Sequence, residues 1–453
     1  MTDKIRVLVV DDSMVMRRVV SDILAAEPDL DVQPPAAGGA LALARLDAGA
    51  IDVVVLDVEM PGMSGLDVLA ELRKRNPSPM VIMFSASTQK AASITLEALL
   101  LGASDYVTKP SGTGSAAASV ELVRTQLLPK IRALGRRNQA RLSATTNTTN
   151  TTTTTNTTTT TTTTAPSSVL TTTKPLAAIK SDSSSPWPIN PPLQATTTTA
   201  TPSGSFGTRT PSTTMRAPSG TFGGRANSGS FGARTPSGSF GGRSTAPASA
   251  PIEILAIGTS TGGPNALGVL LHELPATFPV PSVIVQLMPP LFTKMLAERL
   301  TATTPIPVVE VTHGQVILPG HAYLAPGDQH MVLHRQGVNV VALLNKDPPE
   351  QSCRPSVDVL FRSVAATYAA RTLAVVLTGM GQDGLVGCQT LRAAGAQIVV
   401  QDEASSVVWG MPGFVARAGI ADAIKPLTDL PMEILRRIRG AGSMPQKAGT
   451  SWP

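Results

Sequence analysis

From Ser143 to Thr164 nearly every residue is Thr or Asn, and the stretch from there to about residue 250 is rich in Ser, Pro, Gly and Thr with isolated arginines. A composition so poor in apolar side chains builds no core. The chain is therefore expected to fold as two bodies: a first domain over 1–135 and a second over 251–440. Residues 136–250 form a disordered linker between them, and 441–453 a flexible tail. Within the linker SGSFGTR from Ser203 recurs as SGTFGGR, SGSFGAR and SGSFGGR from Ser219, Ser228 and Ser237. Their nine-residue period is too short for a solenoid. The repeats read as a flexible cationic spacer, with a weak site for an anionic partner as the rival reading.

The net charge of +6 needs dividing before it is interpreted. Residues 1–135 hold 13 basic and 16 acidic side chains, 136–250 hold 10 and 1, and 251–453 hold 14 and 14. The excess sits in the linker, so neither apolar-rich body carries the basic footprint of a nucleic-acid binder. No apolar run reaches the roughly 18 residues of a membrane span, and MTDKIRVLVVDDS opens as a strand, not as a signal peptide. A cytoplasmic protein without membrane insertion is expected. Cys353 and Cys388 lack metal-site spacing and read as free thiols.

In the first body, apolar runs at Ile5 to Val10, Val53 to Leu56, Met80 to Phe84 and Tyr106 to Val107 alternate with helical patterns such as Ser13 to Glu27 and Ser64 to Asn76. That alternation predicts a doubly wound α/β domain. A strand at Leu30 to Gln33, cut short by Pro34 and Pro35, belongs at a sheet edge. The order 2-1-3-4-5 of a five-stranded parallel sheet puts it there. Asp11 and Asp12 follow the first strand, Asp57 the third, Ser85 the fourth and Lys109 the fifth, all facing one crevice. Three gathered carboxylates call for a hard cation such as Mg²⁺, leaving an Asp57 oxygen to attack a phosphoryl donor. Ser85 and Lys109 then hold the phosphoryl oxygens. Solvated acids at loop starts are the bland alternative.

DDS at 11–13, DVEMPGMSG at 57–65, FSAS at 84–87 and TKP at 108–110 resemble the receiver domain of two-component response regulators. The resemblance makes Asp57 the phosphoacceptor and Asp11 and Asp12 its partners in holding Mg²⁺. It makes Ser85 the switch hydroxyl and Lys109 the phosphoryl contact, with phosphate coming from a histidine kinase.

The second body opens on ILAIGTSTGGP, Ile254 to Pro264. A strand buried on both faces gives way to a small-residue loop, where Gly258, Gly262 and Gly263 allow a sharp turn and Pro264 opens a helix. Ser260 is the candidate nucleophile, with backbone N–H groups nearby for an oxyanion. On the loop alone a phosphate cradle or a purely structural turn is the favoured reading, and other stretches have to decide. Further strands are expected at Ser282 to Leu287, Val338 to Leu343, Thr372 to Leu377 and Ala396 to Gln401. Helices follow at Leu291 to Leu300, Val357 to Thr367 and Gly384 to Ala394, making an α/β domain with a mainly parallel sheet. The strand at Thr372 ends in TGMGQDG, carrying Asp383, and the one at Ser282 in QLMPPLFT, so three strand ends face one crevice.

GTSTGG at 258–263, MPPLFT at 288–293, LAPGDQH at 324–330, RPSVDVLF at 354–361, LTGMGQDG at 377–384 and WGMPG at 409–413 resemble the chemotaxis response-regulator protein-glutamate methylesterases, a receiver joined to a serine esterase. The resemblance implies that Ser260 is the nucleophile, that Asp383 orients the triad imidazole, and that the N–H groups of Thr261 and Met380 form the oxyanion hole. It implies no cofactor for the esterase. Its substrates are glutamyl methyl esters, with glutamine deamidation, on methyl-accepting chemotaxis receptors, and a chemotaxis histidine kinase supplies the phosphate.

One position departs from that family. Its triad histidine stands in QHMP, and here the run is Gln286, Leu287, Met288, Pro289. Leucine takes no proton. Loss of a triad histidine costs about 10⁶ in kcat and leaves roughly 10³ to 10⁴ over water. Spacing places none of His272, His313, His321, His330 and His334 beside Ser260. Two readings follow: a phosphorylation-controlled methylesterase, or a receptor-binding module that hydrolyses nothing, which Leu287 favours. A DNA-binding output would need a helix-turn-helix and a basic domain, and neither is present. A linker of about 115 residues, with an r.m.s. reach of roughly 60 Å, is expected to hold the receiver only weakly over the esterase.

Overall fold

The computed structural model describes residues 3–75, 77–86, 88–109, 120–153 and 250–440. The Thr/Asn tract beyond 153, the SGSFG repeats and the tail lie outside these residues.

The first domain alternates strand and helix: β1 (Ile5–Val10), α1 (Met14–Ala25), β2 (Leu30–Val32), α2 (Gly39–Ala48), β3 (Val53–Asp57), α3 (Gly65–Arg73), β4 (Met80–Ser85), α4 (Gln89–Leu100) and β5 (Asp105–Thr108). Its sheet is parallel, in the order β2-β1-β3-β4-β5, with the proline-truncated β2 at the edge as expected. Every residue of β3 and β4 is buried because helices cover both sheet faces. Ser13 and Thr88 cap α1 and α4, and Ser64 forms a reciprocal capping box with Asp67 at α3.

The boundary expected at residue 135 falls inside a helix. A π-helical turn, Val123–Leu127, runs into α5 (Leu128–Thr153). Residues just past 135 are packed: Asn138 is buried, and Gln139 Nε2 donates to the Lys4 carbonyl and to Asp52. Gly135 lies so close to Ile5 that any side chain there would collide with it. The first part of the expected linker thus belongs to the receiver.

The second domain contains β6 (Ile254–Thr259), α6 (Gly263–His272), β7 (Ser282–Gln286), α7 (Pro290–Thr303), β8 (Val308–Glu310), β9 (Gln315–Val316), β10 (Ala322–Leu324), β11 (His330–Gln336) and β12 (Asn339–Asn345). It continues with α8 (Val357–Tyr368), β13 (Thr372–Val376), α9 (Leu385–Ala393), β14 (Gln397–Gln401), α10 (Met411–Arg417), β15 (Ala423–Lys425) and α11 (Leu430–Arg439). Seven parallel strands run in the order β15-β14-β13-β6-β7-β10-β8. The strand expected at Val338 to Leu343 is not among them. It is β12, in an antiparallel sheet of order β11-β12-β9. Two residues, Gly337 with φ +57° and Val338, join β11 to β12, a span that permits a hairpin and no parallel crossover.

The two domains form one compact unit. Receiver helix α4 packs on α6 and α7, and Leu96 and Leu99 share an apolar cluster with Leu267, Leu270 and Leu296. Val407 and Val408 of the second domain pack against the receiver cluster containing Val123 and Leu127. The receiver is therefore docked, which the linker's length alone did not lead one to expect. Complementary folded surfaces hold it.

Candidate active site

Chain order explains where the chemistry sits. The second domain builds outward from β6 through β7 to one side, then crosses to β13 on the other, so β6 stands at the point where the strand order reverses. Crevices for ligands open there, beyond the carboxyl ends of the strands. Ser260 is the residue after β6, half-buried, with its N–H on the Thr378 carbonyl and its carbonyl accepting from Gly263 N–H and Gln286 Nε2. Gly262 has φ +79°, and a side chain there would strike Val407. A Cβ at Gly263 would collide with Gln286 Oε1 and Thr259 Oγ1. The loop tolerates nothing larger at these two positions.

The N–H groups of Thr261 and Met380 have no protein acceptor among the described residues. Gly379, between Thr378 and Met380, is held by Val408, Gly410 and Met411 through backbone hydrogen bonds, and packs close to Ser260 Cβ. Two neighbouring loops thus each hold a backbone amide without a protein acceptor among the described residues, one following Ser260 and one following the glycine that packs near its Cβ.

Asp383 is buried ahead of α9. Its Oδ1 accepts from Ser356 Oγ (2.8 Å) and Asp358 N–H (3.0 Å), and its Oδ2 from Val357 N–H (2.8 Å). Burial raises this carboxyl above its ordinary value, against those donors from the first turn of α8. Ser356 was not singled out from the sequence, although a serine ahead of an apolar run is an N-cap signal.

Leu287 lies one residue past β7, its N–H on the Thr259 carbonyl, its side chain packed against the apolar cluster of β6, β7, β13 and α8. No described histidine stands in for it. His330 comes nearest by connectivity: Nδ1 accepts from Ser356 N–H and Nε2 donates to the Pro348 carbonyl, so both ring nitrogens are engaged. His272, His313 and His321 contact the carbonyls of Thr303, Leu344 and Pro319, and His334 is exposed.

The receiver reaches this crevice. Asp105 accepts from the Thr261 hydroxyl and pairs with Lys130, and Tyr106 stacks on Phe292 with ring centroids 4.6 Å apart. Tyr106 and Lys130 line the same 350 Å³ cavity as Leu287, Cys353 and Arg354. Asp105 and Tyr106 carried no motif signal as contacts, because their role appears only across the domain interface.

At the receiver's own crevice, Asp11, Asp12 and Asp57 each bring a carboxylate oxygen within 4.8 Å of the others. Lys109 Nζ lies 2.7 Å from Asp11 and 2.8 Å from Asp57. Burial pushes the Asp57 carboxyl up to about 6 despite that ammonium. Ser85 is buried, and its hydroxyl bonds to Thr95 and the Ala91 carbonyl of α4. None of its hydrogen bonds reaches Asp57.

A parallel five-stranded domain with an acidic crevice and a basic residue after its last strand, joined to an α/β domain with a serine at its strand-order reversal, defines a receiver-coupled hydrolase scaffold. Residues 7–121 match the response regulator receiver domain model and 255–434 the CheB methylesterase model. A protein-glutamate methylesterase/protein-glutamine glutaminase of Trichodesmium erythraeum is 42% identical over 96% of this chain and 99% of its own. One from Nocardioides is 38% identical over 96% and 95%. The CheB methylesterase catalytic domain of Thermotoga maritima is 40% identical, covering 41% of this chain and 98% of its own with a TM-score of 0.40. The chain belongs to the protein-glutamate methylesterase/protein-glutamine glutaminase family.

Proposed function

We propose that this chain acts on glutamyl methyl esters, and on glutamines, of methyl-accepting chemotaxis receptors in the cytoplasm, at Ser260 and under control of phosphate on Asp57. The observation that carries it is the loop after β6, where Ser260 stands beside the unpaired N–H groups of Thr261 and Met380. Ser260 Oγ bonds to the ester carbonyl carbon, the carbonyl oxygen takes the electron pair between those donors, and the serine proton passes to water because Leu287 cannot accept it. Methanol leaves with a proton, and water then releases the carboxylate from Ser260. Asp383 remains the orienting carboxylate with no imidazole to orient. Turnover is expected in the range left to an oxyanion hole alone, roughly 10³ to 10⁴ over water.

Asp11, Asp12 and Asp57 offer an all-oxygen donor set that fits Mg²⁺. The ion would supply charge neutralisation for a phosphoryl group arriving from a chemotaxis histidine kinase. The ion pairs of Lys109 with Asp11 and Asp57 support its reading as the phosphoryl contact.

The apolar packing of Leu287 supports a second reading, in which the same crevice engages receptor segments without hydrolysing them. Methanol release from methylated receptor membranes separates the two. Release abolished by Ser260→Ala supports hydrolysis, whereas receptor binding with no release above background leaves the binding module.

A further inference from the structure

At the end of β7, Gln286 is a polar side chain in an apolar setting. It is 2% exposed, and the residues of β6 and β7 that share its face of the sheet, Leu255, Ile257 and Ile284, pack in the cluster that holds the α6 leucines Leu267 and Leu270. Its Nε2 donates to the Ser260 carbonyl at 3.0 Å and lies 3.5 Å from that of Leu287. Its Oε1 is buried without a hydrogen-bond partner among the described residues, set against Gly263 where any Cβ would strike it. A buried amide with an orphaned oxygen costs stability. The Ser260 carbonyl already accepts the Gly263 N–H at 2.8 Å, so folding alone would be served better by an apolar side chain of the same length.

What the amide does fix is the direction of a peptide. Ser260 to Gly263 close a β-turn through that N–H, with Gly262 at φ +79° and ψ −4°, the values of the third residue of a type II turn. The Ser260–Thr261 peptide is trans, so its N–H points away from its C=O. Gln286 holds the Ser260 carbonyl toward the α6 face of the sheet, and the Thr261 N–H is thereby turned toward the other. That other face is the one of Leu287, packed in the cluster of α8, and of Asp383, held by α8 amides. A single bond from the turn lets the peptide rock about it, and a second donor from the neighbouring strand removes that freedom.

We propose that Gln286 is a positioning residue of the Ser260 site, aiming the Thr261 N–H at the oxygen that acyl transfer makes negative. It acts through the peptide and touches no reacting atom. This role rests on the reading of Ser260 as the nucleophile. It is separate from the missing base at position 287, because the amide directs the donor whether the serine proton goes to water or to an imidazole.

Propylboronic acid added to the full chain is the probe, since its boron stands where the glutamyl ester carbon would. Ser260 Oγ donates an electron pair to boron, the hydroxyl proton passes to water, and boron becomes a tetrahedral anion whose boron-11 resonance reads the dissociation constant. Expected is an adduct that Ser260→Ala abolishes, with affinity lowered about tenfold in Gln286→Met, less than the roughly 10² to 10³ lost when an oxyanion donor is removed outright. The melting temperature of Gln286→Met is expected to equal or exceed that of the wild type, which a merely structural glutamine would not allow. Should that variant fail to fold, Gln286→Leu carries the same two expectations, and failure of both to fold makes the glutamine structural and overturns the proposal. Unchanged affinity in a folded variant, or a melting temperature that drops along with the affinity, overturns it while leaving Ser260 in place. An adduct that survives Ser260→Ala, or none in the wild type, removes the reading of Ser260 and the role of Gln286 with it.

Discussion

At the residue scale the proposed serine site turns on position 287, where an apolar side chain stands. Asp383 is satisfied by Ser356 and two α8 amides, so it does not depend on position 287 to stay folded and charged-group compatible. Leu287→His is therefore expected to raise methyl-ester hydrolysis by at least about three orders of magnitude, and Ser260→Ala in that background to abolish the gain. Wild-type turnover near 1 s⁻¹, already ordinary for an enzyme, would show that another group serves Ser260. In the receiver, Asp57→Asn is expected to take up no phosphate from acetyl phosphate with Mg²⁺, as read by intact mass; uptake equal to wild type would move the acceptor elsewhere. Glu433 supplies a pH handle, since Arg436 and Arg437 hold its carboxyl down at about 2. A folded-state value depressed below the unfolded one stabilises above the unfolded pKa and is lost as pH falls through the folded one. The melting-temperature gap between wild type and Glu433→Gln should thus be full at neutral pH and shrink between about pH 4.5 and 2. A gap that stays constant through that window would remove the ion pair from the account.

At the element scale, the turn after β6 is the least forgiving. Gly263→Ala would drive a methyl into Gln286, whose Nε2 holds the Ser260 carbonyl. A loss of about 1 to 3 kcal/mol in urea unfolding is expected, with Ser260→Ala, at the same loop, near neutral by comparison. Equal effects would mean the turn relaxes. Most elements were legible because their periodicity matched their environment: β1, β3, β4, β6, β7, β13 and β14 are mainly apolar runs, as strands covered on both faces tend to be. β11 was not, since HMVLHRQ is half polar and half exposed. The reach of α5 past residue 135 was hidden by a sequence, GRRNQARLS, that looks like linker until Gly135 is seen against Ile5. Of the candidate site, Ser260, Asp383 and the receiver acids were picked out by motif. Ser356, Gln286 and Asp105 were not, because each works through a partner 26 or more positions away.

On the scale of the whole molecule, the receiver sits on the face it is read to control. Asp105 and Tyr106 carry that contact, through Thr261 and Phe292. Asp105→Ala combined with Tyr106→Ala is expected to raise amide hydrogen exchange across residues 260–263 without raising it in β13, since local opening and global unfolding are separate events. Unchanged exchange at the loop would show that other contacts do the covering. The docked geometry is fixed by the packing of α4 on α6 and α7 and of Val407 and Val408 on the receiver cluster. The receiver's grip is thus written into residues scattered over both folded domains, so that drift in one of those patches has to be matched by a change in the other.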